Sequence, residues 1–151
     1  AGPKHLTTTT DRLTGLRHAA RDHGHKLPTR HIAYANFDRD SGATATAHLL
    51  DTQPHLTAIA ALNDTMAIGA LALLRTRGIK VPEQISVTGF DDMPIARDVT
   101  PTLTTVRLPL AEMGARAMTL ALQTPGVHQV EQVPAELIRR QSATVASRVV
   151  V

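Results

Sequence analysis

A chain of 151 residues with a formal charge of +3 and no cysteine can bury a real core, and it excludes disulfides and thiolate chemistry. Its aromatic residues are Tyr34, Phe37 and Phe90 alone, so the core must be built from Leu, Ile, Val and Ala. The cations are scattered, with nothing denser than Arg75-Thr76-Arg77 or Arg139-Arg140, which argues against a nucleic-acid grip by this segment; no apolar run approaches the ~20 residues of a membrane span.

Thr7–Thr10 and Asp11 are helix-start residues, followed by Leu13, Leu16, Ala19 and Ala20 at helical spacing and by Gly24 as a stop. Pro28 breaks the chain, and His31–Ala35 reads as a strand. Ser41-Gly42 opens a second helix that runs to Asp51. Strand Thr57–Ala61 leads into helix Asp64–Arg77, with Gly78 as its C-terminal cap. Val81-Pro82 precedes strand Ile85–Gly89, and Met93–Arg97 forms a helical turn. Leu103–Val106 is a fourth strand. Pro109 starts helix Leu110–Gln123, Pro125-Gly126 ends it, and Glu136–Arg140 is the last strand. Strands alternating with helices of about 12 residues specify an α/β fold, a mostly parallel sheet flanked by helices.

Two features carry functional information. The runs Thr57–Leu62 and Ile85–Phe90 each end in a polar pair, Asn63-Asp64 and Asp91-Asp92. Groups just past the carboxyl ends of parallel strands point into a ligand crevice, so these pairs look like hydrogen-bonding tools for a small polar ligand. The stretch Met66–Leu74 has no polar residue on any face, although a helix covering a sheet needs only an apolar stripe. Its outer face, Ile68 with Leu71 and Ala72, is a candidate homodimer interface; burial within the domain explains the pattern equally well.

Catalysis finds little support. Asp91 and Asp92 are adjacent and point different ways, and neither a nucleophile elbow nor a phosphate-binding glycine loop is present. His23-Gly24-His25 beside Asp22 is the densest set of metal-ligating side chains, and it reads as a solvated turn. No catalytic residue, metal or cofactor is assigned.

Arg12-Leu13-Thr14-Gly15, Phe37 with Ser41-Gly42, Asn63-Asp64-Thr65-Met66-Ala67-Ile68-Gly69-Ala70, the run from Val81-Pro82 to Gly89-Phe90-Asp91-Asp92, Pro101–Val106 and Glu136-Leu137-Ile138-Arg139-Arg140 occur in that order. Together they resemble the effector-binding core of the LacI/GalR family of bacterial transcription regulators. The resemblance implies a cytoplasmic repressor with an N-terminal helix-turn-helix and a two-lobed core of the type I periplasmic-binding-protein-like kind. It places Ala1-Gly2-Pro3 where the chain first crosses between lobes. Residues 1–151 are then the C-terminal, effector-binding and dimerising lobe, with residues 109–125 a helix belonging to the N-terminal lobe.

Carried over residue by residue, the resemblance implies effector contacts at Arg12, Phe37, Asn63 and Asp91. It also implies a small-molecule effector, with a sugar favoured, and operator DNA bound through the helix-turn-helix. A carboxylate, an amide and a guanidinium suit vicinal hydroxyls, and an aromatic ring covers a sugar face. Each residue also has a plainer role: a cap for Asn63, a turn for Asp91, solvation for Arg12 and core for Phe37. Leu16, Thr102 and Leu108 depart from the family pattern, Leu16 by standing where a bulkier aromatic is usual. A sugar-binding receptor of a transport system is the rival reading, since it shares the lobe architecture.

Overall fold

Local signals set most element boundaries, and the computed structural model describes residues 1–123 and 130–145. In chain order these form α1 (Thr7–Asp22), a 3-10 turn (Thr29–His31), α2 (Arg39–Thr52), β1 (Ala58–Ala60), α3 (Asp64–Thr76), β2 (Ser86–Thr88), a 3-10 turn (Pro94–Arg97), β3 (Thr105–Arg107), α4 (Leu110–Ala121) and β4 (Glu136–Ile138). α3 starts where Asn63 accepts a hydrogen bond from the Met66 amide and stops before Gly78, whose φ of 68° suits only an unhindered residue.

β1 and β2 pair in parallel with Ile59 opposite Val87. Single parallel bridges, Thr88 to Thr104 and Asp91 to Arg107, continue the sheet towards β3, and β4 closes it antiparallel to β3. The described sheet is therefore parallel at its centre with one antiparallel edge, and its regular strands are shorter than the apolar runs that signal them.

Element ends shift by one or two residues in several places, β3 for example being Thr105–Arg107, and two elements differ in kind or in their start. The second helix begins at Arg39, because the Asp38 carboxylate accepts from the Ser41 amide at 2.8 Å and caps the helix ahead of Ser41-Gly42. His31–Ala35 is not a strand: a 3-10 turn takes its first residue, and the rest is extended without a ladder. Its neighbour supplies one residue's worth of bonding, with the Ala1 ammonium donating to the Ala33 carbonyl and the Ala35 amide donating to Ala1. Pro125-Gly126 lies outside the described residues.

α3 is apolar over most of its surface because two of its sides are covered. Ala67, Leu71 and Leu74 enter the core with Ile59, Val87 and Leu103 of the sheet, where a fully buried leucine contributes about 1.5–3 kcal/mol. The opposite side meets α2 so closely that a Cβ on Gly69 would lie 2.0 Å from the Arg39 carbonyl oxygen. Packing within the domain thus accounts for most of the pattern. Leu71, at 6% exposure, is a core residue and not part of an outer face, whereas Ile68 and Ala72 stay half-buried. α4 contributes no buried residue, and Leu110, Met118 and Leu122 are exposed.

Candidate functional site

The site grows from the ends of β1 and β2 and from the first turns of α1. Each strand is followed within a few residues by its polar pair, and a break from extended backbone there, the start of α3 at Asp64 and positive φ at Asp91 and Asp92, turns the two neighbours opposite ways. Asn63 faces the surface and Asp64 the interior; Asp91 is part-exposed and Asp92 is inside. Asp64 is 0% exposed, and it accepts from the Thr105 hydroxyl at 2.5 Å and from the Met93 amide at 2.7 Å. The Asp92 side chain is 2% exposed, held by Arg140 at 2.5 Å and Arg107 at 2.7 Å, with Arg97 at 3.8 Å. The expectation that both residues of each pair serve a ligand is therefore corrected. One of each pair is a buried strut.

Arg12 and Asp91 meet directly. The Arg12 guanidinium donates to Asp91 Oδ1 at 3.1 Å and to the Leu62 carbonyl, and it lies over the Phe90 ring, 3.8 Å from its centroid. That stacking keeps the cation oriented as well as paired. Asp91 Oδ2 has no protein partner among the described residues. Asn63 performs its plainer role, capping α3 at 2.9 Å, while its Nδ2 donates to the Phe37 carbonyl at 2.9 Å. Phe37 packs its ring over Gly2, where a Cβ would fall 2.1 Å from a ring carbon. The Leu62 carbonyl joins the two halves, so Arg12, Asn63, Asp91 and the Phe37 backbone form one connected set.

Backbone geometry singles out the same place. Among the described residues, the non-glycine positions with positive φ are Phe37 at 63°, Asp91 at 109° and Asp92 at 54°. Sparsely populated backbone states persist where surrounding contacts hold them, and they gather at ligand clamps.

Electrostatics divides the three carboxylates. Burial raises Asp91, and Arg12 offsets this only in part. Burial also raises Asp64, against the bonds from Thr105 and Met93. For Asp92 burial pushes upward too, but the hydrogen bonds from Arg140 and Arg107 outweigh it and hold the carboxyl below its ordinary value.

A hollow of about 570 Å³ lies beside this set, between α1 and the ends of β1, β2 and β3. Arg12, Leu16, Phe90, Val106 and Leu137 help to line it; Phe37, Asn63 and Asp91 do not. Leu16, smaller than the aromatic usual at that position, borders this space. Phe90 and the arginine set around Asp92 were not among the predicted site residues. The Phe-Asp-Asp and Glu-Leu-Ile-Arg-Arg strings contain Phe90 and Arg140, whereas Arg97 and Arg107 lie outside them, and no spacing rule says that Arg107 and Arg140 converge on one carboxylate.

Residues 1–143 match the periplasmic binding protein-like domain family. The chain belongs to that family. Within it, the domain aligns with LacI/GalR regulators: it is 45% identical over 112 residues to the HTH-type transcriptional regulator GalS of Salmonella typhimurium, covering 74% of this chain and 33% of that protein. It is 35% identical over 146 residues to the HTH-type transcriptional regulator GalR of Escherichia coli, covering 94% of this chain and 43% of the other. The domain superposes on a CelR–cellobiose complex with a TM-score of 0.86 at 34% identity, covering 95% of this chain and 45% of that one. A sugar-binding LacI-family regulator from Escherichia coli, complexed with phosphate, gives 0.83 at 36% identity over 93% of this chain and 52% of that one. The domain thus spans well under two thirds of these relatives. No described helix is long and apolar enough to cross a membrane.

Proposed function

We propose that this domain is the effector-binding and dimerising C-terminal lobe of a cytoplasmic LacI/GalR-type repressor, with a sugar as effector. The observation that carries the reading is the Arg12–Asp91 pair, stacked on Phe90 at the tips of parallel strands with Asp91 Oδ2 left free. A carboxylate with one open oxygen accepts from a hydroxyl, and the adjoining guanidinium donates to the next oxygen. The relatives' names as regulators, and the cellobiose in one complex, support a sugar-responsive regulator over a transport receptor or an enzyme.

In this reading the ligand bridges two lobes and favours one lobe arrangement by its differential affinity. α4, with its uncovered apolar residues, packs on the other lobe. Asp91 touches the ligand, and its neighbour Asp92 grips Arg107 of β3 and Arg140 beyond β4, so the ligand contact adjoins the strand pair that leads to and from α4. Paired helix-turn-helix heads elsewhere in the protein change their spacing on operator half-sites in response.

The test is a thermal-shift screen of mono- and disaccharides and nucleosides against a complete regulator carrying this domain, since a ligand bound only by the native state raises its stability. A sugar should shift the parent and release or tighten operator binding. Asp91→Ala should abolish that response with operator affinity almost unchanged. An unaltered dose response in the variant refutes the role of Asp91.

A further inference from the structure

The extended segment Ile32–Asn36 presents an outer edge that nothing guards. Its Ala33 carbonyl and Ala35 amide are taken on the inner side by Ala1. Main-chain groups alternate in direction along an extended chain, so those of Ile32, Tyr34 and Asn36 turn outward. The Ile32 amide is bonded to the Thr29 carbonyl at 3.0 Å and the Asn36 amide to the Ser41 hydroxyl at 2.9 Å. The Tyr34 amide and carbonyl have no partner among the described residues.

Exposed edges are templates for a further strand, and charges, proline or a bulge normally blunt them. From Ile32 to Phe37 the chain has no charged residue and no proline. Tyr34 is 38% exposed, with Lys4 held over its ring 4.6 Å from the centroid. A groove of about 430 Å³ lies beside the edge, between it and Ser41, Thr44 and His48 of α2.

The residues at the two ends of the edge say what fits. Exposed Arg30 precedes it and exposed Asp38 follows it. A second copy laid antiparallel, with Tyr34 opposite the partner's Tyr34, sets the Arg30 end of each chain against the Asp38 end of the other. Opposite charges across a strand pair stabilise it, whereas a parallel copy would bring like charges together. The antiparallel register also puts Ala33 opposite the partner's Ala35 and sets the two tyrosines as an aromatic cross-strand pair.

We propose that Ile32–Asn36 is a self-pairing edge, joined antiparallel to the same segment of a second copy about a two-fold axis at Tyr34. Two reciprocal main-chain bonds, each Tyr34 amide donating to the carbonyl of the partner's Tyr34, fix the register of this isologous contact. So few bonds hold free copies only briefly, and the edge therefore joins copies that another face has already gathered. This inference does not depend on the effector reading.

The chain has no cysteine, so single cysteines report the pairing. Opposed residues of a hydrogen-bonded antiparallel pair stand about 5.5 Å apart at Cα, within the range of about 4.4–6.8 Å that a disulfide spans. Tyr34 and Asn36 are exposed, so cysteine at either leaves the fold intact. In oxidised glutathione, Tyr34→Cys should form a covalent dimer about tenfold faster than Asn36→Cys, whose two copies lie about 13 Å apart in this register. Ile32→Cys mixed with Asn36→Cys should give the mixed dimer as fast as Tyr34→Cys gives its own, with each slow alone. Adding Arg30→Glu to the Tyr34→Cys chain should slow cross-linking about threefold at low salt. Equal rates for Tyr34→Cys and Asn36→Cys overturn the proposal, as does a mixture no faster than its components. An Arg30→Glu chain that cross-links as fast as its parent overturns the charge match and with it the choice of a second copy as partner.

Discussion

Asp91 and Asp92 are chemically identical neighbours with opposite tasks, and the difference lies in what surrounds each carboxylate. Asp91 keeps one oxygen without a protein partner among the described residues, while Asp92 is enclosed by three arginines at 2.5, 2.7 and 3.8 Å. Removing one partner of a buried ionic cluster leaves the others uncompensated, at about 3–5 kcal/mol; Arg97 and Arg107 reach solvent, which places Asp92→Ala near 3 kcal/mol. Urea unfolding at neutral pH should show that loss. Because the folded-state value of Asp92 is depressed, its stabilisation is complete above the unfolded carboxylate pKa of ~3.9 and fades as pH falls through the lower folded value. The gap between parent and variant should therefore narrow on acidification. Asp64 and Asp91, both raised by burial, act in the reverse sense: their charged forms weigh against folding at neutral pH, and the penalty eases as they protonate. A gap that widens with acid would contradict this assignment. The position of the polar pairs at the ends of β1 and β2 was legible in the sequence, because the apolar runs that signal the strands stop there. Which member turns inward was not, since it depends on Thr105, Arg107 and Arg140, which are remote in the chain.

At the level of elements, the α2–α3 contact depends on one absent side chain. A Cβ on Gly69 would meet the Arg39 carbonyl at 2.0 Å, and that obstacle is backbone, which cannot rotate away. Gly69→Ala should destabilise by about 3 kcal/mol, the upper part of the overpacking range, in thermal unfolding followed by circular dichroism. Gly114→Ala in α4 is the contrasting case: nothing lies within 4 Å of the added carbon, so the helix should gain about 0.5–1 kcal/mol of local stability, seen as slower amide exchange along α4. Equal effects of the two substitutions would mean that helix propensity and not packing governs both sites. Helices were the most legible elements, because caps such as Asn63 and stops such as Gly78 are local signals. His31–Ala35 has strand composition, yet a strand is a pairing and its pairing partner is remote in sequence. The short span of β1 and β3 has the same cause.

For the molecule as a whole, the remaining question is what covers the surface of α3 that the domain leaves open. Ile68 and Ala72 are half-buried there, and the Thr65 hydroxyl touches the Met93 sulfur at 3.6 Å, which sets Met93 beside the first turn of the helix. Met93 and Ile95, at 41% and 42% exposure, are further large apolar side chains at solvent. We read Ile68, Ala72 and Met93 as the self-association face, with Leu71 supporting it from the core. Ile68→Glu is the informative substitution: a half-exposed position accepts a carboxylate without unfolding the domain, whereas a change at Leu71 would damage the core itself. A carboxylate on each of two facing surfaces introduces desolvation and like-charge repulsion, which disfavour the dimer strongly. Sedimentation velocity over a concentration series should show the parent moving towards a dimer and the variant staying monomeric, with the two circular-dichroism spectra superimposable. A variant that sediments as the parent does, or a parent that stays monomeric throughout, would remove this face from the assembly.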